Sequence, residues 1–231
     1  MPWTDALLRF QEIDLELQQI NRRLTEIAAI LHDESELSQA RQRAEQTAQA
    51  AHTANKTQKD IEFELQRVQT DLQQTERRLY DGSVTNPRQL EDLQAKSQSL
   101  RRRIAKLEDD LLEAMVAREE ADTDATTAAT HLQEVSARRA VLCQALTAER
   151  DTLQAREQVL RQEAQHVQER IPSNILDTYH YLHSRTGGIP VARLNGEICS
   201  MCGVEVLKPT QRKVKNGEEA YCDGCRRLLV A

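Results

Sequence analysis

Leu100-Arg-Arg-Arg-Ile104-Ala-Lys-Leu107-Glu-Asp-Asp-Leu111 sets the architecture of this chain. Its apolar residues step by four, three and four, with charged residues and one alanine between them. An average spacing near 3.5 belongs to a helix that buries one narrow stripe against another helix. Upstream the stripe continues as Ser97, Leu93 and Leu90. Downstream it runs through Ala114, Arg118, Ala121, Ala125, Ala128, Leu132, Val135, Arg139, Leu142 and Leu146, and then Leu153, Leu160 and Val167. Pro172 ends it, because the residue before a proline is pushed out of helical conformation.

A turn precedes this helix at Tyr80-Asp-Gly-Ser-Val-Thr-Asn-Pro87. Gly82 suits a left-handed helix end, Asn86 suits a cap, and Pro87 suits a first helical position. Before the turn lies a second stripe: Phe10, Ile13, Leu17, Ile20, Leu24, Ile27 and Leu31. It slips by one residue near Asp33–Glu36 and resumes as Leu37, Ala40, Ala44, Thr47, Ala51, Ala54, Gln58, Ile61, Leu65, Val68, Leu72, Thr75 and Leu79. Such a slip alters a supercoil locally. The expected first helix runs from about Thr4 to Tyr80, roughly 115 Å at 1.5 Å per residue. Pairing Leu79 with Leu90 sets Ala44 opposite Ala125 and brings two alanine-rich stretches to the same height. That match favours a hairpin within one chain over the rival, a coiled coil between chains.

The composition agrees. Aromatic residues are 3% of the chain, and glutamine, alanine, glutamate, arginine and leucine dominate, which is a long-helix composition. The regular stripes argue against the rival for so polar a chain, which is disorder. The two helices hold no paired carboxylates, nucleophile–base set or phosphate loop, so they read as non-enzymatic. His32, His52, His131 and His166 are scattered and expected in solvent. Cys143, one residue after Leu142, reads as a half-buried structural thiol.

The C-terminal part differs. Cys199-Ser-Met-Cys202 and Cys222-Asp-Gly-Cys225 are two C-x-x-C pairs. Each pair sets two sulfurs on one tight turn, a spacing that fits tetrahedral Zn²⁺. Four thiolates leave no position for water, so one structural zinc is expected. A redox role is the rival, and it lacks the βαβ context. His180 and His183 are expected to pack rather than ligate. Ile175, Tyr179 and Leu182 predict a short helix over 173–184. Ile189–Leu194 reads as a strand, Asn195-Gly196 as a hairpin turn, and Lys215-Asn216-Gly217-Glu218 as a second hairpin turn. The predicted fold is mostly α: a long antiparallel coiled-coil hairpin over residues 1–171, turning near 81–86, followed over 172–231 by a short helix and a C4 zinc ribbon.

Charge separates the two parts. Residues 1–171 hold 23 Lys+Arg against 31 Asp+Glu, and residues 172–231 hold 8 against 6. Lys208, Arg212, Lys213 and Lys215 between the cysteine pairs, with Arg226 and Arg227 after them, are candidate phosphate contacts. Acidic residues interspersed among them support a bland soluble surface instead. The chain starts Met1-Pro-Trp-Thr without a basic run leading into an apolar one, and no stretch approaches membrane-spanning length. A cytoplasmic protein is expected, with no membrane partner and no small-molecule substrate.

The order of parts resembles the bacterial C4-type zinc ribbon coiled-coil family. The resemblance is carried by Asn86-Pro87-Arg88-Gln89-Leu90, Leu93, Leu107-Glu108-Asp109, and the cysteine pairs followed by Arg226-Arg227-Leu228-Leu229. Gln89 stands where that family commonly has an acidic residue. The resemblance implies an adaptor whose ribbon binds nucleic acid, RNA or DNA, or a nucleic-acid-associated protein, with the coiled coil as spacer and docking surface. Family members are linked to an alternative sigma factor, to flagellar messenger RNA and to secretion systems. The alternative function is a structural or chaperone-like scaffold whose ribbon binds only protein. In that case Val204, Val206, Leu228 and Leu229 are the expected docking residues.

Overall fold

The computed structural model describes residues 2–231. The chain is mostly helical, with long antiparallel helices followed by a small strand region that carries four clustered cysteines. It divides into two compact units, residues 33–142 and a second made of residues 2–32 with 143–231.

The helices are α1 (Pro2–His32), α2 (Ser35–Tyr80) and α3 (Pro87–Gln168). The expected single first helix is therefore two. The break falls at Asp33–Glu34, where the stripe slips phase. There the Asp33 carboxylate, one residue before the N-cap Glu34, accepts the first N–H of the restarted helix, that of Ser35, at 3.1 Å. At the turn into α3, Asn86 Oδ1 accepts the Arg88 N–H at 3.0 Å, as its sequence position requires.

In the unit of residues 33–142, the stripes are the buried faces. Ala40, Thr47, Ala51, Val68 and Thr75 on α2 and Ala128 and Val135 on α3 are buried. Ala50, Ala54, Ala114 and Ala117 line one shallow groove, so the two alanine-rich stretches do lie together. Arg101 Nη2 lies 2.6 Å from Glu76 Oε1, and Arg138 Nη2 lies 3.0 Å from Glu36 Oε1. Arg103 and Glu64 form another ion pair.

In the other unit, α1 runs antiparallel to the end of α3. Three arginine–carboxylate pairs mark the register: Arg9 with Glu163, Glu16 with Arg156, and Arg23 with Glu149, each at 2.7 Å. Each step of seven along α1 is a step of seven back along α3, the repeat of an antiparallel coiled coil. Leu142 is exposed and Cys143 half-buried, so the stripe passes from Arg139 through Cys143 to Leu146, not through Leu142 as expected.

After α3 come α4 (Ser173–His183), β1 (Val191–Asn195), β2 (Ile198–Cys199), α5 (Lys208–Asn216) and β3 (Leu228–Val230). The sheet order is β2-β1-β3. β1 and β2 form the expected hairpin, with Leu194 opposite Cys199 and Gly196 at φ 65° in the turn. The second hairpin is not formed. Residues 208–216 are a helix, and β3 pairs parallel to β1, Val191 with Leu228 and Ala192 with Leu229. Pro209 suits the first turn of α5, while Gln211 and Val214, three apart, are buried. Gly217, at φ 74°, is the helix's left-handed end. An Asn-Gly dipeptide serves either a tight hairpin or a helix end, because both need a positive φ.

Leu7, Ile13, Leu160, Ile175, Tyr179, Val191, Leu228 and Val230 form one core, which joins α1, α3, α4 and the sheet. Ala192, Cys199, Val206, Val214, Ala220, Cys222 and Leu229 form a second beneath the cysteines. Val206, Leu228 and Leu229, expected as an exposed docking surface, are thus core residues. β3 is buried on both faces because it is clamped between the two clusters.

Candidate metal centre

The four cysteine sulfurs lie within 4.8 Å of one another. Cys199 Sγ and Cys225 Sγ are 3.8 Å apart, and Cys202 Sγ and Cys222 Sγ are 3.5 Å apart. Four sulfurs bound tetrahedrally at about 2.3 Å from Zn²⁺ would stand roughly 3.8 Å from one another. The donor set and its spacing therefore fit a closed tetrahedral ion. No histidine or carboxylate joins the cluster among the described residues.

Two turns of the same construction present the sulfurs. In the first, the Gly203 N–H donates to the Cys199 carbonyl at 3.0 Å, and the Cys199 N–H donates to the Val204 carbonyl at 3.0 Å. In the second, the Arg226 N–H donates to the Cys222 carbonyl and the Cys222 N–H to the Arg227 carbonyl, both at 2.9 Å. The fifth residue of each turn is left-handed: Gly203 at φ 72° and Arg226 at φ 60°. The turns also touch. A Cβ on Gly224 would stand 3.0 Å from Val204 Cγ2, so glycine is needed there for the approach.

The surroundings favour thiolate at Cys225 and the neutral thiol at Cys199 and Cys222. Burial pushes the Cys199 and Cys222 thiols up, while backbone N–H groups oppose it: those of Met201 and Cys202 on Cys199, and of Cys225 and Gly224 on Cys222. On Cys225 burial again raises the value. The Arg227 backbone and side chain, with the neighbouring thiols, outweigh it and bring Cys225 down to about 7. Amides aimed at sulfur stabilise the charged form that a metal requires.

A family model described as the CT398-like coiled coil hairpin domain matches residues 10–187. The chain belongs to this family. Two Mycobacterium tuberculosis proteins, the uncharacterized proteins Rv2229c and MT2288, are each 29% identical to it over 242 residues, covering 97% of this chain and 94% of theirs. The solved structure of CT398 from Chlamydia trachomatis has a TM-score of 0.73 at 15% identity, covering 98% of this chain and 96% of that one. A structure from Mycobacterium smegmatis has a TM-score of 0.66 at 20% identity, covering 100% and 99%. At these identities the likeness shows the fold. The matched residues of the CT398-like hairpin domain stop before the four clustered cysteines.

The six candidate cations are not equivalent. Arg212, Lys213 and Lys215 are exposed on α5. Lys208 is also exposed, but its Nζ lies 2.7 Å from Glu197 Oε1. Arg226 is exposed beside the second cysteine pair, whereas Arg227 turns inward. Arg227 donates to the Ile189 carbonyl at 2.7 Å and the Thr186 carbonyl at 3.1 Å, which fixes the segment leading into β1. Sequence reasoning missed that anchoring role. The Gly187-Gly188 break just upstream was the available signal, since a loop that leaves a helix so abruptly needs its carbonyls satisfied. His183 packs against α1, where its Nε2 lies 3.1 Å from Asp14 Oδ2 and 2.7 Å from Gln18 Nε2.

Proposed function

We propose that Cys199, Cys202, Cys222 and Cys225 hold one structural Zn²⁺, and that the chain is a non-enzymatic cytoplasmic adaptor that binds nucleic acid, or a nucleic-acid-associated protein, through its C-terminal module. The clustering of four sulfurs from two matching turns carries the metal half of this reading. Zinc would supply folding energy to a module of three short strands and one nine-residue helix. With every coordination position filled by thiolate, the ion has no place for a reacting water.

Arg212, Lys213 and Lys215, exposed on a helix held above the cysteines, support the nucleic-acid half. Fluorescence anisotropy with labelled RNA and DNA at several salt concentrations tests it. Affinity should be weak, largely indifferent to sequence, and should fall steeply as salt rises. Replacing Arg212, Lys213 and Lys215 together with alanine should flatten that slope and leave zinc content unchanged. A wild-type chain that binds neither probe at low salt ends the nucleic-acid half. Elemental analysis of protein purified without chelator tests the metal half separately.

A second reading, a scaffold that docks only protein, rests on the exposed apolar side chains Ile198, Met201, Val204 and Leu207 around the first cysteine pair. Val204 and Leu207 are the residues to change first under that reading.

A further inference from the structure

A cleft of about 840 Å³ opens between α4 and the second cysteine turn. Tyr181 and Arg185 stand on the α4 side, and Tyr221 and Arg226 on the other. The Arg185 guanidinium carbon lies 4.4 Å from the centre of the Tyr181 ring, yet that ring stays 58% exposed. Tyr221 is 38% exposed. Two exposed tyrosines in a chain with 3% aromatic residues thus line one opening together with two arginines.

Arg226 adds an independent observation. Among the described residues it is the one non-glycine with a positive φ, and the matching position of the first turn is glycine. Left-handed backbone costs a side-chain-bearing residue energy that glycine avoids. Arg226 keeps that conformation while its side chain lines the cleft.

The cleft is not a simple cation patch. Asp177 also lines it, and Glu219 accepts the hydroxyls of Tyr221 and Thr178. Two guanidiniums balanced by carboxylates give little net attraction for a bare phosphate chain. Exposed tyrosine rings, one of them already stacked by a guanidinium on one side, suit flat π-systems instead, and carboxylate oxygens can accept from the exocyclic amino groups of bases.

We propose that this cleft is where the nucleic acid of the reading above is held by its bases, with unpaired nucleobases stacked on Tyr181 and Tyr221 and Arg185 and Arg226 at the flanking phosphates. The proposal rests on the nucleic-acid reading and assigns that contact to a place apart from α5. It divides the work: α5 supplies the salt-dependent attraction, and the cleft supplies base contact that salt screens little.

The full zinc-bound chain is titrated against a fluorescent single-stranded RNA, a single-stranded DNA of the same sequence, and the corresponding duplex. The double variant Tyr181→Ala/Arg226→Gly removes one stacking face and one guanidinium, and its glycine relaxes the backbone instead of straining it. It should weaken single-strand binding about tenfold, within the range for one lost stacking contact. Its salt slope should fall by no more than the one phosphate contact that Arg226 makes. Unchanged affinity in the double variant, or duplex binding as tight as single-strand binding, overturns the cleft assignment and leaves the broader reading standing. No binding of any probe by the wild type overturns both. Zinc content and the circular dichroism spectrum of the variant confirm that a loss is not unfolding.

Discussion

The side-chain amide of Gln11 on α1 bonds to Val191 of β1 as a neighbouring strand would. The Val191 N–H donates to Gln11 Oε1 at 2.7 Å, and Gln11 Nε2 donates to the Val191 carbonyl at 3.2 Å. Both residues are buried. β2 is too short to reach this part of β1, so a glutamine from a helix satisfies the backbone instead. Replacing Gln11 with leucine would strand a buried donor and acceptor, at a cost of roughly 1–3 kcal/mol. Thermal melting should record the loss, and hydrogen exchange at the Val191 amide should speed up. Unaltered exchange there would show that the bond pair contributes nothing.

Replacing Cys222 with serine should abolish zinc binding and unfold the segment around β1–β3, while α1–α3 keep most of their helical circular dichroism. A strong chelator should reproduce the same partial loss in the wild-type chain. A global loss of helix on metal removal would contradict this expectation and show that the core shared by α1, α3, α4 and the sheet depends on the ion.

Spin labels at residues 44 and 125 report the pairing of α2 with α3. Both positions are half-buried stripe residues. Facing helices lie about 8–10 Å apart, so the labels should be within roughly 20 Å in a monomer. Proximity seen only when differently labelled chains are mixed would indicate pairing between molecules.

Acid should loosen α1 from α3. Hydrogen bonds from Arg156, Arg23 and Arg9 hold the carboxyls of Glu16, Glu149 and Glu163, respectively, below the ordinary glutamate value. A carboxyl whose folded value is depressed contributes stability above its unfolded value, near 4.3, and loses it as pH falls through the folded one. The melting temperature should hold from neutrality to about pH 5 and then decline. Because these pairs sit at the surface, each contributes little alone. Changing all three arginines to methionine should flatten the acid limb, and an equally steep limb in that variant would assign it elsewhere.

The helices were legible because a 3.5-residue repeat is a one-dimensional signal. Ile13, Ile20, Ile27, Val68, Val135 and Leu160 are buried where the repeat puts them. The four cysteines were legible because their spacing encodes a ligand set. Asn216-Gly217 misled because the left-handed turn it encodes ends a helix as readily as it joins two strands. Leu228 and Leu229 misled for a different reason: their burial comes from a parallel pairing with residues 191 and 192, and nothing local announces a partner so far back in the chain. Arg227 looked like a free cation because its acceptors are backbone carbonyls, and these carry no sequence identity.

The parallel pairing of β3 with β1 gives the assembly of the centre an order in time. The β1–β2 hairpin closes over two residues, and the turn that follows it holds Cys199 and Cys202 together locally, events of microseconds. The second pair arrives only after α5 has formed and β3 has crossed back to β1, a slower long-range closure. The first pair should therefore meet the ion as an open two-sulfur claw, and the second should lock it. Stopped-flow mixing of metal with the unfolded chain should resolve two phases, and shortening the chain before β3 should remove the slower one. Discrimination between competing metals would then occur at the locking step, where a fit to four ligands is first demanded.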